Sequence, residues 1–259
     1  MKKIKTIMNV VNETNDEPAR IDLYGTIGYD PWFSDEQALT AKGVGQALKD
    51  ITSDSVDVHI NSYGGDAFEG IGIYNVLKQS NKTINIYVDA VAASAASVIA
   101  MAGDTIFMPA NAQLMVHHAA TFEYGNADDF EKVIQSLNAM DNSLVVTYES
   151  RFTGTEDELT GLLDAETWLN ADEALVFGFA DKIIDYDSED DKSDEPKEDI
   201  KKSLFNKYVN EHIAAEAGML KDMVTSSKSN TEDDSKEAVI EPEIKESQPS
   251  FADKLINLI

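Results

Sequence analysis

The sequence predicts an α/β fold, a largely parallel sheet layered with helices. Three observations carry this. Short β-branched runs alternate with helix-length amphipathic runs as far as about residue 185. Strand–helix–strand alternation of this kind implies parallel strands joined by crossover helices. Beyond residue 185 the chain turns acidic and polar, so the layered domain stops there.

The elements follow in order. Ile4, Ile7, Val10 and Val11 mark a first strand, and a polar turn covers 12–18. Ile21-Asp22-Leu23-Tyr24-Gly25 alternates as a second strand. Pro31 to Ser34 reads as a loop, with Ser34 as N-cap of a helix through Ala38, Val44, Ala47 and Leu48. Val56 to Ile60 is a strand ending in a Gly64-Gly65 turn. A helix over 67–79 carries an apolar stripe of Ile71, Ile73, Val76 and Leu77. Ile84 to Val88 is a strand, and Ser94 opens a small-residue helix. Short strands follow at 105–108 and 113–116. A long helix from Asp128 to Phe152 should bury Phe130, Val133, Ile134, Leu137, Met140, Leu144 and Val145. A helix at 156–163, an extended Thr167-Trp168-Leu169, a helix from Ala171 to near Gly178 and a last strand to Ile184 complete the domain.

The expected organisation is therefore a domain at 1–185, an acidic linker at 186–199, an amphipathic helix at 200–224 and a disordered acidic tail at 225–259 with a short apolar end. The helix shows one apolar stripe and no evident partner within the chain.

Composition narrows the function. The formal charge of −27 argues against sequence-independent nucleic-acid binding, which needs Lys and Arg to neutralise phosphates, and against an anionic membrane surface. The absence of cysteine excludes disulfides and thiolate metal sites. The apolar run after Lys2, Lys3 and Lys5 is too short for a signal segment, and no run approaches a membrane span. A cytoplasmic setting is expected.

Ser94 lies among Ala92, Ala93, Ala95 and Ala96, small residues that let backbone crowd a substrate. A helix starting there points unpaired N–H groups into a site where an oxyanion can develop. Tight helix packing is the plain alternative. The Gly64-Gly65 pair marks a sharp turn or a close approach to ligand. His117 and His118 follow a short strand, and alternation sends them to opposite faces, so one at most can serve the serine. Asp164 and Glu166 are candidates for an orienting carboxylate. Composition and spacing reach a Ser–His enzyme and stop there.

Residues 20–184 resemble the Clp protease proteolytic subunit (ClpP) family of serine peptidases, most nearly its phage head maturation (prohead) branch. The resemblance rests on Ile60-Asn61-Ser62-x-Gly64-Gly65-Asp66, the run from Ala92 to Asp104, Met115-Val116-His117, and Glu166-Thr167-Trp168-Leu169-x-Ala171-x-Glu173-Ala174. It implies Ser94 as nucleophile, His117 as base, Gly65 and Ala95 amides as oxyanion hole and Glu166 in the place of the family's aspartate, with Asp164 as the other candidate. It implies a ClpP/crotonase-like layered fold whose long helix forms a handle, subunits stacked in rings, protein substrates, and no metal or organic cofactor.

The sequence also departs from the family pattern. Two tyrosines that help form the ATPase-docking pocket are replaced by Asp57 and His59, which argues against a conventional ATPase partner. The acidic tail suits a segment tied to capsid assembly. The expected role is therefore a serine endopeptidase cleaving capsid and scaffold proteins during phage head maturation, in the host cytoplasm. The alternatives are a host-type, ATPase-linked subunit and a structural scaffold with a vestigial site.

Overall fold

The computed structural model describes residues 4–12, 18–29, 38–184 and 199–209. All lie within one compact unit of the chain, Met1–Ala215. The sheet runs in the order β1 (Ile7–Val11), β2 (Ala19–Ile27), β3 (Ser55–Gly65), β4 (Thr83–Ala93), β5 (Thr105–Pro109) and β8 (Lys182–Ile184). β6 (Gln113–Val116) also pairs with β4, and β7 (Thr167–Asn170) pairs with β6. The pairs from β2 to β5 and β5 to β8 are parallel, as is β4 with β6; β1–β2 and β6–β7 are antiparallel. Helices α1 (Ala41–Asp50), α2 (Ala67–Lys78) and α3 (Ala95–Ala100) follow β2, β3 and β4 in turn. The α/β layered architecture expected from the alternation is the one observed.

Strand pleat explains the layering. Val56, Val58 and Ile60 of β3 and Ile84, Ile86 and Val88 of β4 are buried together with Val44 of α1 and Ile73 and Leu77 of α2. The intervening Asp57, His59, Asn85 and Tyr87 face the other way and are half-buried. Each fully buried Ile, Val or Leu contributes about 1.5–3 kcal/mol relative to exposure, so this shared core fixes the register of the strands.

β4 forks the sheet. Its Asn85–Tyr87 stretch pairs with β5, while Val91–Ala93 pairs with Gln113–Met115 of β6. Two strands far apart in sequence thus end side by side, at the carboxyl edge where open α/β sheets build their sites.

The structure corrects several expectations. α1 begins at Ala41, where the Thr40 hydroxyl accepts the Gly43 N–H at 3.1 Å; Leu39 bridges to Ile27 and Gly28, which keeps the entry extended. Ser34 lies outside the described residues. β3 does not turn at the glycine pair but runs through it, because β2 continues to pair as far as Ile27↔Gly65.

α4 (Ala127–Glu149) is the long helix, but only its C-terminal half buries its stripe. Met140, Leu144 and Tyr148 are buried, whereas Phe130 and Ile134 are 46% and 56% exposed. Periodicity identifies an apolar face; it does not say whether this chain covers it. α5 (Glu156–Asp164) and α6 (Ala171–Phe177) complete the domain.

The amphipathic helix is described over residues 199–209, and it has a partner within the chain, contrary to expectation. Leu204, Phe205 and Tyr208 pack on the core. Lys201 is 8% exposed, donates to the Thr153 carbonyl and lies over the Phe152 ring. Lys207 pairs with Glu173 at 3.2 Å, and the Tyr208 hydroxyl donates to the Trp168 carbonyl at 3.1 Å. Gly161 of α5 leaves room for it, since a Cβ there would lie 3.0 Å from Val209. The remaining linker and tail readings, at 186–198 and 210–259, lie outside the described residues.

Candidate active site

Ser94 closes β4 and caps α3. Its backbone has φ 55° and ψ −127°, a conformation that costs a non-glycine residue about 1–3 kcal/mol. Its N–H donates to the Met115 carbonyl at 3.0 Å, a consequence of the Ala93↔Met115 register. The strained bend turns the side chain away from capping: Ser94 makes no side-chain cap bond. Instead its Oγ lies 2.7 Å from His117 Nε2.

His117 follows β6 directly, so the same parallel pairing that ends β4 at Ser94 delivers the imidazole beside it. Burial pushes the His117 pKa below the ordinary histidine value; Glu166 opposes this, His118 adds to it and Asp141 opposes it. A neutral imidazole accepting the Ser94 proton at Nε2 is the state a general base requires.

His118 turns elsewhere. Its Nε2 lies 2.9 Å from Asp164, and its Nδ1 lies 3.2 Å from Asp141 but off the line of a hydrogen bond. The structure therefore brings Asp164 to His118 and not to His117. Glu166 is exposed, has φ 47° and acts on His117 through charge, without a hydrogen bond to it among the described residues.

The glycine pair lies against Ser94. A Cβ on Gly64 would sit 2.7 Å from the Ala93 carbonyl and 2.8 Å from Ser94 Cβ, so only glycine lets β3 pass this close. At the next position the Asp66 N–H donates to Ile27 at 3.0 Å. Alternation along the strand then puts the Gly65 N–H on the opposite edge, toward β4. Ala95 begins α3, where amides have no partner within the helix. Both residues line a cleft of about 450 Å³, as do Ser94 and His117. Its apolar wall is Val98, Val133, Leu137, Met140 and Leu144, with Tyr148 alongside. Ser94, His117, two candidate oxyanion donors and an apolar side-chain pocket thus converge, an arrangement of the kind acyl transfer from a peptide needs. No cluster that could hold a metal occurs among the described residues.

On the sheet's other face, His59 bonds Asp89 at 2.8 Å and stacks on Tyr87, which stacks on Phe107. Burial works against the Asp89 carboxylate, but hydrogen bonds from His59 and Tyr24 outweigh it and hold its pKa below the ordinary range. Asp57 accepts from Asn85 at 2.9 Å. Sequence reading marked Asp57 and His59 as polar intruders; it missed Asn85 and Asp89, which satisfy them from the neighbouring strand. It also missed Asp141, whose only signal was a polar residue amid an apolar helix stripe.

Comparison with known proteins fits this geometry. The family model for Clp protease matches residues 45–187. The ATP-dependent Clp protease proteolytic subunit of Deinococcus radiodurans is 26% identical over 133 residues, 50% of this chain and 65% of that protein. The chain therefore spans just under two-thirds of that relative's length. A solved ClpP1 point mutant from Listeria monocytogenes is similar in fold, with a TM-score of 0.51 and 23% identity over 57% of this chain and 85% of that one.

Proposed function

The chain belongs to the Clp protease family, and we propose that it is a serine endopeptidase. The carrying observation is the 2.7 Å contact between Ser94 Oγ and His117 Nε2 at the mouth of an apolar cleft. Ser94 attacks the scissile carbonyl while His117 takes its proton. The Gly65 and Ala95 amides receive the developing oxyanion. His117 then gives the proton to the leaving amine, and water repeats the sequence to release the acyl group. Glu166 supplies the negative charge that favours the imidazolium, its charge acting on His117 across the gap described above. The cleft wall of Val98, Met140 and Leu144 suits an apolar side chain on the acyl side of the cut bond. The assembly expected of the enzyme is a ring of identical subunits acting on protein substrates.

The finer reading is a peptidase of phage head maturation acting on capsid and scaffold proteins. It rests on the sequence resemblance and on the sheet face at His59. There Asp57, His59, Asn85 and Asp89 satisfy one another, so the face offers polar pairs where an apolar docking pocket is expected. The relative from Deinococcus is named as ATP-dependent, which supports the alternative of an ATPase-linked subunit. Two experiments separate these. Cleavage of an unfolded capsid or scaffold protein without any ATPase supports the first reading. Capture of a Clp ATPase by the full-length chain, with nucleotide-dependent proteolysis, overturns it.

A further inference from the structure

We infer that Asp141 and Tyr148 of α4 are positioning residues that together fix the distance between Ser94 and His117. The inference rests on the peptidase reading above. The two residues are seven apart, two helical turns, and so lie on one face of α4. Each makes a polar contact with a residue next to one half of the Ser–His pair, Tyr148 with Ser97 and Asp141 with Ala119.

The first link reaches the nucleophile. Tyr148 is 1% exposed and Ser97 wholly buried. The Ser97 hydroxyl donates to the Ser94 carbonyl at 2.7 Å, using its single proton. Tyr148 therefore donates to Ser97 Oγ, 2.8 Å away. This hydroxyl chain ties α4 to the carbonyl of the residue with the strained backbone. Both side chains are buried, where an unmade hydrogen bond is most costly.

The second link reaches the base. Asp141 Oδ1 accepts the Ala119 N–H at 2.7 Å, two residues past His117. Its Oδ2 lies 3.2 Å from His118 Nδ1, and His118 is held on its other side by Asp164 at the end of α5. The segment that leaves β6 carrying His117 is therefore hydrogen-bonded to α4 at Ala119, with His118 beside the same carboxylate. β6 itself ends at Val116, so nothing in the sheet ladder holds this segment beyond its pairing. The charged and titratable groups acting on His117 are Glu166 from the turn between α5 and β7, the neighbouring His118, and Asp141 of α4.

The test uses the full-length chain and its variants Tyr148→Phe, Asp141→Asn and the double variant. The readouts are the rate of phosphonylation of Ser94 by a fluorophosphonate as a function of pH, and thermal melting. Tyr148→Phe keeps the ring and removes one hydroxyl. It should slow labelling about 2- to 10-fold, the range of one lost hydrogen bond, with the pH profile unmoved. Asp141→Asn should slow labelling and also shift the acid limb to lower pH. It removes a negative charge that favours protonated His117, which a merely structural loss would not do. Should Tyr148→Phe melt early, Ser97→Ala breaks the same link from the other end, together with the bond to the Ser94 carbonyl, and should slow labelling at least as much. Wild-type rates in Tyr148→Phe, Ser97→Ala and Asp141→Asn, with the wild-type chain reactive, overturn this inference and leave the peptidase reading standing. A wild-type chain that takes no label overturns both.

Discussion

Gly65→Ala should damage activity far more than a one-methyl change suggests. A Cβ at this position would lie 2.1 Å from the Ile27 carbonyl oxygen and 2.9 Å from the Ile27 nitrogen. β2 and β3 must part by about 1 Å before the contact is tolerable. The residue also has φ 151°, in a region nearly reserved for glycine, and holding alanine there costs about 1–3 kcal/mol. For a domain of this size that corresponds to a loss of roughly 2–10 °C in Tm. The displaced amide is a proposed oxyanion donor, and losing such a donor costs about 10²–10³ in kcat. Gly45→Ala in α1 is the control, because its Cβ would make an ordinary 3.5 Å contact with Val76 and should be neutral or stabilising by up to about 1 kcal/mol. The assay is peptide hydrolysis beside a thermal melt at several substrate concentrations. Wild-type kcat in Gly65→Ala would refute the placement of the oxyanion site. So would a loss of kcat no greater than the folded fraction accounts for.

Three further outcomes are expected. His117→Ala should abolish hydrolysis while His118→Ala costs about tenfold at most, since it removes the clamp and not the base; in the wild type the acid limb of kcat/KM should fall below the ordinary histidine pKa. Burial makes the folded state resist protonating His117, so the stability it contributes is present above the ordinary histidine pKa and declines as pH falls below it, while activity holds until pH reaches the lowered folded-state value. Glu166→Gln should lower kcat by more than Asp164→Asn does, because Asp164 contacts His118 and Glu166 acts on His117; the reverse order in a steady-state assay would assign the acid to Asp164. Limited proteolysis should cut between 185 and 198 yet leave residues 199–209 bound to the nicked domain through Lys201, Phe205 and Tyr208; mass spectrometry of the native nicked species showing that piece gone would contradict the packing seen.

The fold was legible where local pattern and burial coincide. β3 and β4 alternate apolar and polar residues, and both faces of the sheet have the character that alternation implies. Ser94 and His117 were legible as residue types, and the fork in β4 explains why they meet; no spacing in the sequence reveals that fork. Two things stayed hidden for physical reasons. The stripe on α4 has the same period whether it faces this chain or solvent, so the exposure of Phe130 and Ile134 could not be read. The helix at 199–209 follows an acidic run that looks like an end to the fold, and its seat depends on Gly161, one absent side chain on a distant helix. The carboxylate that acts on the base is also a tertiary matter. Asp164 and Glu166 are two residues apart, yet Asp164 bonds His118 while Glu166, at a positive φ, acts on His117 through charge.

Everything proposed for the site depends on Ser94 being a nucleophile activated by His117. The most direct measurement is the intact mass of the full-length chain after fluorophosphonate treatment, with peptide hydrolysis followed in parallel for the wild type and Ser94→Ala. One adduct is expected, mapped to Ser94 and absent in Ser94→Ala, together with a loss of turnover in that variant on the order of a millionfold. An adduct at another serine, or hydrolysis by Ser94→Ala at the wild-type rate, would contradict it.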